Sequence, residues 1–473
     1  MTETLIENKT FDEIAIGDSA RIVRRLTQRD IDLFAIVSGD LNPSHLDENY
    51  AKDTHFRGVV AHGLLAGTLI SAVLGTELPG AGTIYLEQDL KFLKPVRPDD
   101  IIEVRVTAQS KDATKKTVTF DCLGTNQNKE HVLSGTALVI APTQKIRLPA
   151  IEMPNVELYH HDRLRQLVDK AKTLPPLRTA VVHPCDEVSL QGMAAAASEG
   201  IIIPILIGPE DRIREAAQAA NIDLKNYEII SVPHSHAAAA QAITLAHAGK
   251  LDAIMKGSLH TDELMSAVVD RTNGLRTDRR MSHVFVVDVP TYKWPLLITD
   301  AALNVAPSLM DKVHICQNAI YLAHDLGLDA PKVALLAATE EVVATMPATL
   351  DAAAICKMAE RGQIKGGIVD GPLAFDNAIS REAARIKKIT SPVAGQADIL
   401  VAPSIEAGNV LVKQLDYLGA AESAGIVLGA SLPIILTSRA DHTSARLASA
   451  ALAVLSVAGE KARLAEKTRS GKA

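Results

Sequence analysis

Residues 62–75 read His-Gly-Leu-Leu-Ala-Gly-Thr-Leu-Ile-Ser-Ala-Val-Leu-Gly, a run long enough for a helix and apolar on nearly every face. A helix of that kind has to be surrounded by protein. Four stretches of alternating character follow it. Leu86, Gln88, Leu90 and Phe92 fall on one face of 85–93, with Glu87, Asp89 and Lys91 on the other. Ile102, Val104 and Val106 alternate in the same way, as do Val118, Phe120 and Cys122, and 131–140 is the fourth stretch. A period of two predicts an antiparallel sheet with one buried face. An α+β unit in which a sheet wraps one buried helix satisfies both patterns. Upstream, Thr27 and Asp30 form a capping-box pair, which predicts a helix running through about Val37.

Downstream the pattern changes. Residues 141–160 hold three prolines and no sustained period, and read as a linker after a first domain at 10–140. From 161 to 465 short apolar runs (TAVVHP, IIIPILIG, AIMKG, HVFVVDV, KVALLA, ILVAP, PIILTS) alternate with Ala-rich helical stretches. This alternation predicts an α/β fold with a mostly parallel sheet. The segment is large for one core, so two lobes with a cleft between them are expected. Lobe I is placed at about 161–290 and 430–465, and lobe II at about 291–429.

The 473 residues are 47% hydrophobic, 22% charged and only 3% aromatic, with a net charge of -7. No Lys/Arg-rich stripe appears, which argues against nucleic acid as a partner. The start has no signal-peptide pattern and no apolar run reaches the roughly 18 residues of a membrane helix, so a cytoplasmic chain with no membrane partner is expected. The four cysteines lack the paired spacing of a zinc site or a disulfide framework, and no metal site is expected. Neither a Walker loop nor a dinucleotide fingerprint is present, so no bound nucleotide cofactor is expected.

Chemistry concentrates first in FAIVSGDLNPSHLDENYA, residues 34–51. Pro43 biases Asn42 away from helix, so the helix should end near Asp40 and leave Asp40 and His45 on the following turn. A carboxylate and an imidazole placed together can hold and polarise one water. On spacing alone the reading as ordinary turn residues is the favoured one. The whole string resembles the MaoC-like, R-specific enoyl-CoA hydratases, whose motif is matched by Phe34, Ser38, Gly39, Asp40, Asn42, Pro43, His45 and Ala51. Ser44 departs from the family's usual aliphatic residue. The resemblance covers about 10–140. It implies a hotdog fold and hydration of a trans-2-enoyl-CoA by Asp40 and His45, with Asn42 in the substrate site. VVAHGLLAGTLIS resembles the same family's helix start, which implies that the Gly63 N–H, at a helix N-terminus, meets the thioester oxygen. His62 reads as a packed or hydrogen-bonded histidine at the helix entrance.

The second half holds three such stretches. In LPIILTSRADHTSARLASAALAVL, Ser438, Arg439 and Asp441 lie between an apolar strand and an Ala-rich helix. Arginine there can clamp a phosphate, and the hydroxyl and carboxylate can hold and deprotonate a thiol. A capped helix start with a solvated arginine is the plain alternative. AIMKGSLHTDELM places Gly257, Ser258 and Thr261 at a strand-to-helix junction that favours an anion. Gly408 and Asn409 open another helix after ILVAP, and Arg276, Arg279 and Arg280 form a small basic cluster suited to a phosphate. Together Gly257-Ser258-x-His260-Thr261, the Arg279–Val284 segment, Gly408-Asn409 and Thr437–Asp441 resemble the phosphate acetyl/butyryltransferases over about 160–460. The last motif is closer to the butyryl branch, which leaves the acyl chain open.

That resemblance implies a two-lobed fold of the phosphate acetyltransferase and isocitrate/isopropylmalate dehydrogenase kind, with acyl transfer between coenzyme A and phosphate. It implies that Ser438 meets the thiol, Arg439 the acyl phosphate, and Ser258 and Thr261 the phosphate, with Arg279, Arg280, Gly408 and Asn409 as further binding residues. The family's base aspartate falls on Ala445 here, so Asp441 is the substitute base. Coenzyme A thioesters and phosphate are then substrates, with no bound cofactor. Both families assemble, so a homo-oligomer, a dimer or larger, is expected. Two alternatives stay open: a hotdog domain that only binds acyl-CoA or oligomerises, and a non-catalytic acyl-CoA sensor.

Overall fold

The computed structural model describes residues 5–149, 156, 163–437 and 443–470. Backbone contacts divide the chain into two units, Met1–Leu158 and Tyr159–Ala473.

The first unit is a hotdog domain. Strands β1 (Leu5–Glu7), β2 (Ser19–Arg25), β3 (Ile84–Phe92), β4 (Ile101–Asp112), β5 (Thr117–Thr125), β6 (His131–Ile140) and β7 (Arg147–Pro149) build it. Five of them make one antiparallel sheet in the order β2-β4-β5-β6-β3. Ile102, Val104 and Val106 of β4 and Val118, Phe120 and Cys122 of β5 are fully buried, as their alternation requires. They pack on the Gly63–Thr76 helix through Leu65, Ala66, Leu69, Ile70, Val73 and Leu74. Leu64 on the far side of that helix is 61% exposed, so the sheet covers one face and does not surround the helix.

Strand β3 departs from its sequence pattern. Its register slips between Tyr85 and Glu87, and Leu86 and Phe92 lie exposed while Leu90 alone joins the core. A bulge on an edge strand breaks the alternation that a regular strand would keep. Within the stretch read as a linker, β7 pairs with β1 and closes the unit's two ends together.

Thr27 caps the Gln28–Ser38 helix in reciprocal hydrogen bonds with Asp30, and Gly39 ends it at φ +73. That left-handed turn suits glycine and swings Asp40 out of the helix.

The second unit holds β8 (Leu177–Val182), β9 (Ile202–Gly208), β10 (Glu228–Ser231), β11 (Ala253–Lys256), β12 (Ser282–Asp288), β13 (Leu296–Thr299), β14 (Lys332–Leu336), β15 (Ile368–Leu373), β16 (Ile399–Val401), β17 (Glu422–Leu428) and β18 (Ile434–Ile435). All eleven join one sheet in the order β10-β9-β8-β11-β18-β17-β12-β13-β16-β14-β15. Two parallel blocks, β10 to β18 and β13 to β15, are joined through antiparallel β17 and β12. The two lobes therefore share a sheet, each with its own covering helices. Ala-rich helices pack closely against it, among them Thr443–Ser470, whose Ala450, Ala451, Leu452 and Ala453 are fully buried. No helix among the described residues is long and apolar enough to cross a membrane.

Candidate functional sites

In the first unit, the turn after Gly39 carries the chemistry. Asn42 caps the short Pro43–Leu46 helix by accepting the Ser44 N–H, with Pro43 at its first position. His45 rides on that helix. Its Nδ1 lies 2.7 Å from the Val60 carbonyl. A carbonyl only accepts, so Nδ1 carries a proton and donates it. Asp40 is exposed, and its carboxylate accepts the Asn42 N–H at 3.2 Å.

His62 arrives from the helix entrance. It is buried, stacks on His45 with ring centroids 3.8 Å apart, and bonds the Asp40 carbonyl through Nε2 at 3.0 Å. By the same reasoning His62 Nε2 carries a proton, and its buried Nδ1 has no hydrogen-bond partner among the described residues. Sequence patterning read His62 as a packed or hydrogen-bonded histidine, and it is both, with Asp40 as the hydrogen-bond partner.

Donor atoms of Asp40, His45 and His62 lie within 4.8 Å of one another. A carboxylate and two imidazoles this close can share one water.

Beside the cluster opens a cavity of about 400 Å³, lined by His45, His62, Gly63, Ala66, Phe92, Val96, Val132 and Leu133 among others. Gly63 lines it at the positive end of its helix. A Cβ on Gly63 would meet the Phe92 ring at 3.4 Å, so the exposed Phe92 serves as a cavity wall.

In the second unit, the chain begins with β8, builds β9 and β10 on one side, and returns to place β11 and β18 on the other. The crevice beyond such a reversal point is where ligands bind in open α/β sheets. Gly257 and Ser258 follow β11 there, and Thr261 opens the Thr261–Val268 helix. A Cβ on Gly257 would fall 2.4 Å from the Val182 carbonyl, so only glycine fits. Asp262 and Glu263 already face the positive end of the helix. Two buried basic side chains stand by the ends of β11 and β18. Lys256, 5% exposed, reaches the Gly257 carbonyl, and Arg446, 6% exposed, donates to Thr437 Oγ1 at 2.9 Å. Gly192 makes room for Arg446, whose Cδ lies 2.6 Å from where a Cβ would stand. Sequence reading singled out neither cation, because each sits inside an apolar run.

Ser438, Arg439 and Asp441 lie outside the described residues. Thr437, immediately before them, lies two residues beyond β18, which pairs with β11 so that Met255 faces Ile435. Arg280 lines a cavity of about 710 Å³, together with Arg271, Arg276, Arg279, Thr277 and Asn304, and its Nε donates to Asn304 at 2.7 Å. Arg279 also turns towards Glu460 and the Tyr321 ring. Gly408 and Asn409 fall in the first turn of the Ile405–Leu418 helix, which Ser404 caps. They pack against the end of β13: a Cβ on Gly408 would fall 2.5 Å from the Asp300 carbonyl, and Asn409 donates to the Ala301 carbonyl at 3.1 Å. Buried Asp300 accepts three backbone N–H groups from 302–304, a second anchor that the sequence did not flag.

Comparison with known proteins finds a match for each of the two units. The family described as phosphate acetyl/butaryl transferase matches residues 233–454, and the MaoC like domain matches 15–127. A phosphate acetyltransferase of Rhizobium meliloti is 56% identical over 297 residues, 63% of this chain and 94% of that protein. The chain belongs to the phosphate acetyl/butyryltransferase family. Within this transferase, a MaoC-like hotdog domain precedes the family unit. A phosphate butyryltransferase of Clostridium beijerinckii is 42% identical over 296 residues, 63% of this chain and 98% of its own. A branched-chain phosphotransacylase from Enterococcus faecalis V583 superimposes with a TM-score of 0.52 at 30% identity, covering 59% of the transferase chain and 99% of its own.

Proposed function

We propose that this transferase performs two reactions on acyl-CoA thioesters, one in each unit. The second unit is a phosphate acyltransferase, as its family membership and its buried cations at the sheet reversal support. In that reaction a phosphate oxygen bonds to the thioester carbonyl carbon, the C–S bond breaks, and the departing thiolate takes up the phosphate proton. Lys256 and Arg446 supply positive potential for the anionic partners, and Arg439 and Ser438 act on the acyl phosphate and the thiol. Asp441 is the proposed proton acceptor when the reaction runs towards acyl-CoA.

The first unit is proposed to hydrate a trans-2-enoyl-CoA with R specificity. The observation that carries this reading is the clustering of Asp40 and His45, with ligand atoms within 4.8 Å of each other, beside a largely apolar cavity. A water held between them loses a proton to Asp40 as its oxygen bonds to Cβ. The π pair moves towards the thioester carbonyl, where the Gly63 N–H stabilises the developing charge. A proton then returns to Cα, so that water has been added across the double bond.

We also infer that copies of the chain pair through the hotdog unit. Strand β3 is a sheet edge, and Ile84, Leu86, Phe92 and Leu93 stand exposed on or beside it. An apolar edge strand invites pairing with another strand.

An acyl-CoA panel tests both activities in the intact chain. Loss of enoyl absorbance reports hydration, and phosphate-dependent release of free thiol reports transfer. Absence of enoyl consumption across C4 to C8 substrates would reduce the hotdog unit to a binding module.

A further inference from the structure

The sheet reversal holds one more side chain than the motifs predict. His183 is the first residue after β8, and Ser258 the second after the neighbouring β11. His183 is 7% exposed and sits at φ +55, a left-handed conformation that non-glycine residues adopt only when the surroundings hold them there. The restraints are on Ser258. Its N–H donates to the His183 carbonyl at 2.9 Å, and its hydroxyl donates to the same carbonyl at 2.8 Å.

With its proton directed there, the hydroxyl oxygen accepts. Cys185 N–H approaches it at 3.3 Å and His183 Nδ1 at 3.1 Å. Nδ1 therefore carries the ring proton. Burial, reinforced by the Arg212 charge, disfavours a second proton on the ring, while Glu263 and Asp186 act in the opposite sense. Two donors fix the serine oxygen, so its own proton is the part of the group that can turn from the carbonyl to an arriving anionic oxygen.

We propose that His183 is a positioning residue of the acyl-transfer site, holding Ser258 through Nδ1 so that the serine presents its hydroxyl proton to phosphate. This rests on the reading of the second unit as a phosphate acyltransferase, and it assigns a role to a residue that none of the matched motifs contains.

The test varies phosphate at saturating acyl-CoA for wild type, His183→Ala, His183→Asn, Ser258→Ala and the His183→Ala/Ser258→Ala double variant. Loss of one positioning hydrogen bond raises the phosphate KM by roughly five- to tenfold in His183→Ala. His183→Asn keeps a donor where Nδ1 stands and tolerates positive φ, so it stays within about twofold of wild type. Ser258→Ala loses at least as much as His183→Ala, since it removes the hydroxyl that meets phosphate, and the double variant is no worse than Ser258→Ala, because His183 acts only through that serine. The proposal is overturned by an unchanged phosphate KM in His183→Ala, by His183→Asn as impaired as His183→Ala at equal melting temperature, or by additive losses in the double variant. A wild-type chain that releases no thiol with phosphate would instead overturn the acyltransferase reading itself.

Discussion

The imidazole of His62 donates to the backbone carbonyl of Asp40 at 3.0 Å while stacking on His45, 3.8 Å from ring centre to ring centre. One buried side chain thus ties the carboxylate's backbone and steadies the imidazole beside it. Asp40 and His45, the proposed acid–base pair, are thus held together with His62 as a group of three.

Replacing Asp40 by Asn keeps the turn and removes the base. Hydration should fall by roughly 10²–10⁴-fold, the usual worth of general acid–base catalysis. Phosphate-dependent thiol release by the same protein should be unchanged. Equal hydration by the variant would remove Asp40 from the mechanism.

His62→Ala should lower hydration by about tenfold while leaving Asp40 and His45 in place, because a neutral hydrogen bond contributes on the order of 1 kcal/mol. The same change opens a buried space and lowers the melting temperature. His62→Gln, which retains a donor, should recover part of the rate, and kinetics alongside melting curves separate the two effects.

Ala66 lines the acyl cavity from the helix. Ala66→Leu adds methylenes to a space of about 400 Å³ and should raise KM for C6 and C8 enoyl-CoA more than for C4. A pocket contact of this size discriminates by about 1–3 kcal/mol. A uniform change across chain lengths would show that the acyl group lies elsewhere.

Gly257→Ala places a Cβ against two backbone carbonyls, those of Val182 and His183, at 2.4 and 2.6 Å. Neither is a flexible side chain, so the strand ends must part. Acyl transfer should be lost and the second unit destabilised by roughly 1–3 kcal/mol, whereas hydration persists. Denaturant melts followed by both assays measure this.

Asp325 pairs with Arg463 on the Thr443–Ser470 helix, yet burial pushes its pKa up to about 6. A carboxyl whose folded pKa lies above its unfolded value of about 3.9 binds a proton more tightly when folded. Its contribution to stability therefore grows as pH falls through about 6 and levels off below the unfolded pKa. Melting temperatures of wild type relative to Asp325→Asn should rise between pH 7 and pH 5. A difference independent of pH would show that Asp325 stays ionised.

Local chemistry was legible from the residues alone. Thr27 and Asp30 announce a helix start, Pro43 its end near Asp40, and the alternation in 102–106 and 118–122 names the buried face, because each of these preferences is set by neighbours a few positions away. The motif string around Asp40 and His45, and those around Gly257 and Gly408, pointed to the two families whose models match the chain, for the same reason. Tertiary structure alone decided the rest. It set His62 against the carbonyl of a residue 22 positions earlier and His183 against a serine 75 positions later. It joined β1 to β7 across the hotdog unit and exposed Phe92 as a cavity wall, although its spacing read as core. It buried Lys256 and Arg446, whose sequence neighbours suggest only an apolar strand and an Ala-rich helix. Such contacts depend on which strands become neighbours in a sheet, and no short-range pattern in a chain encodes that order.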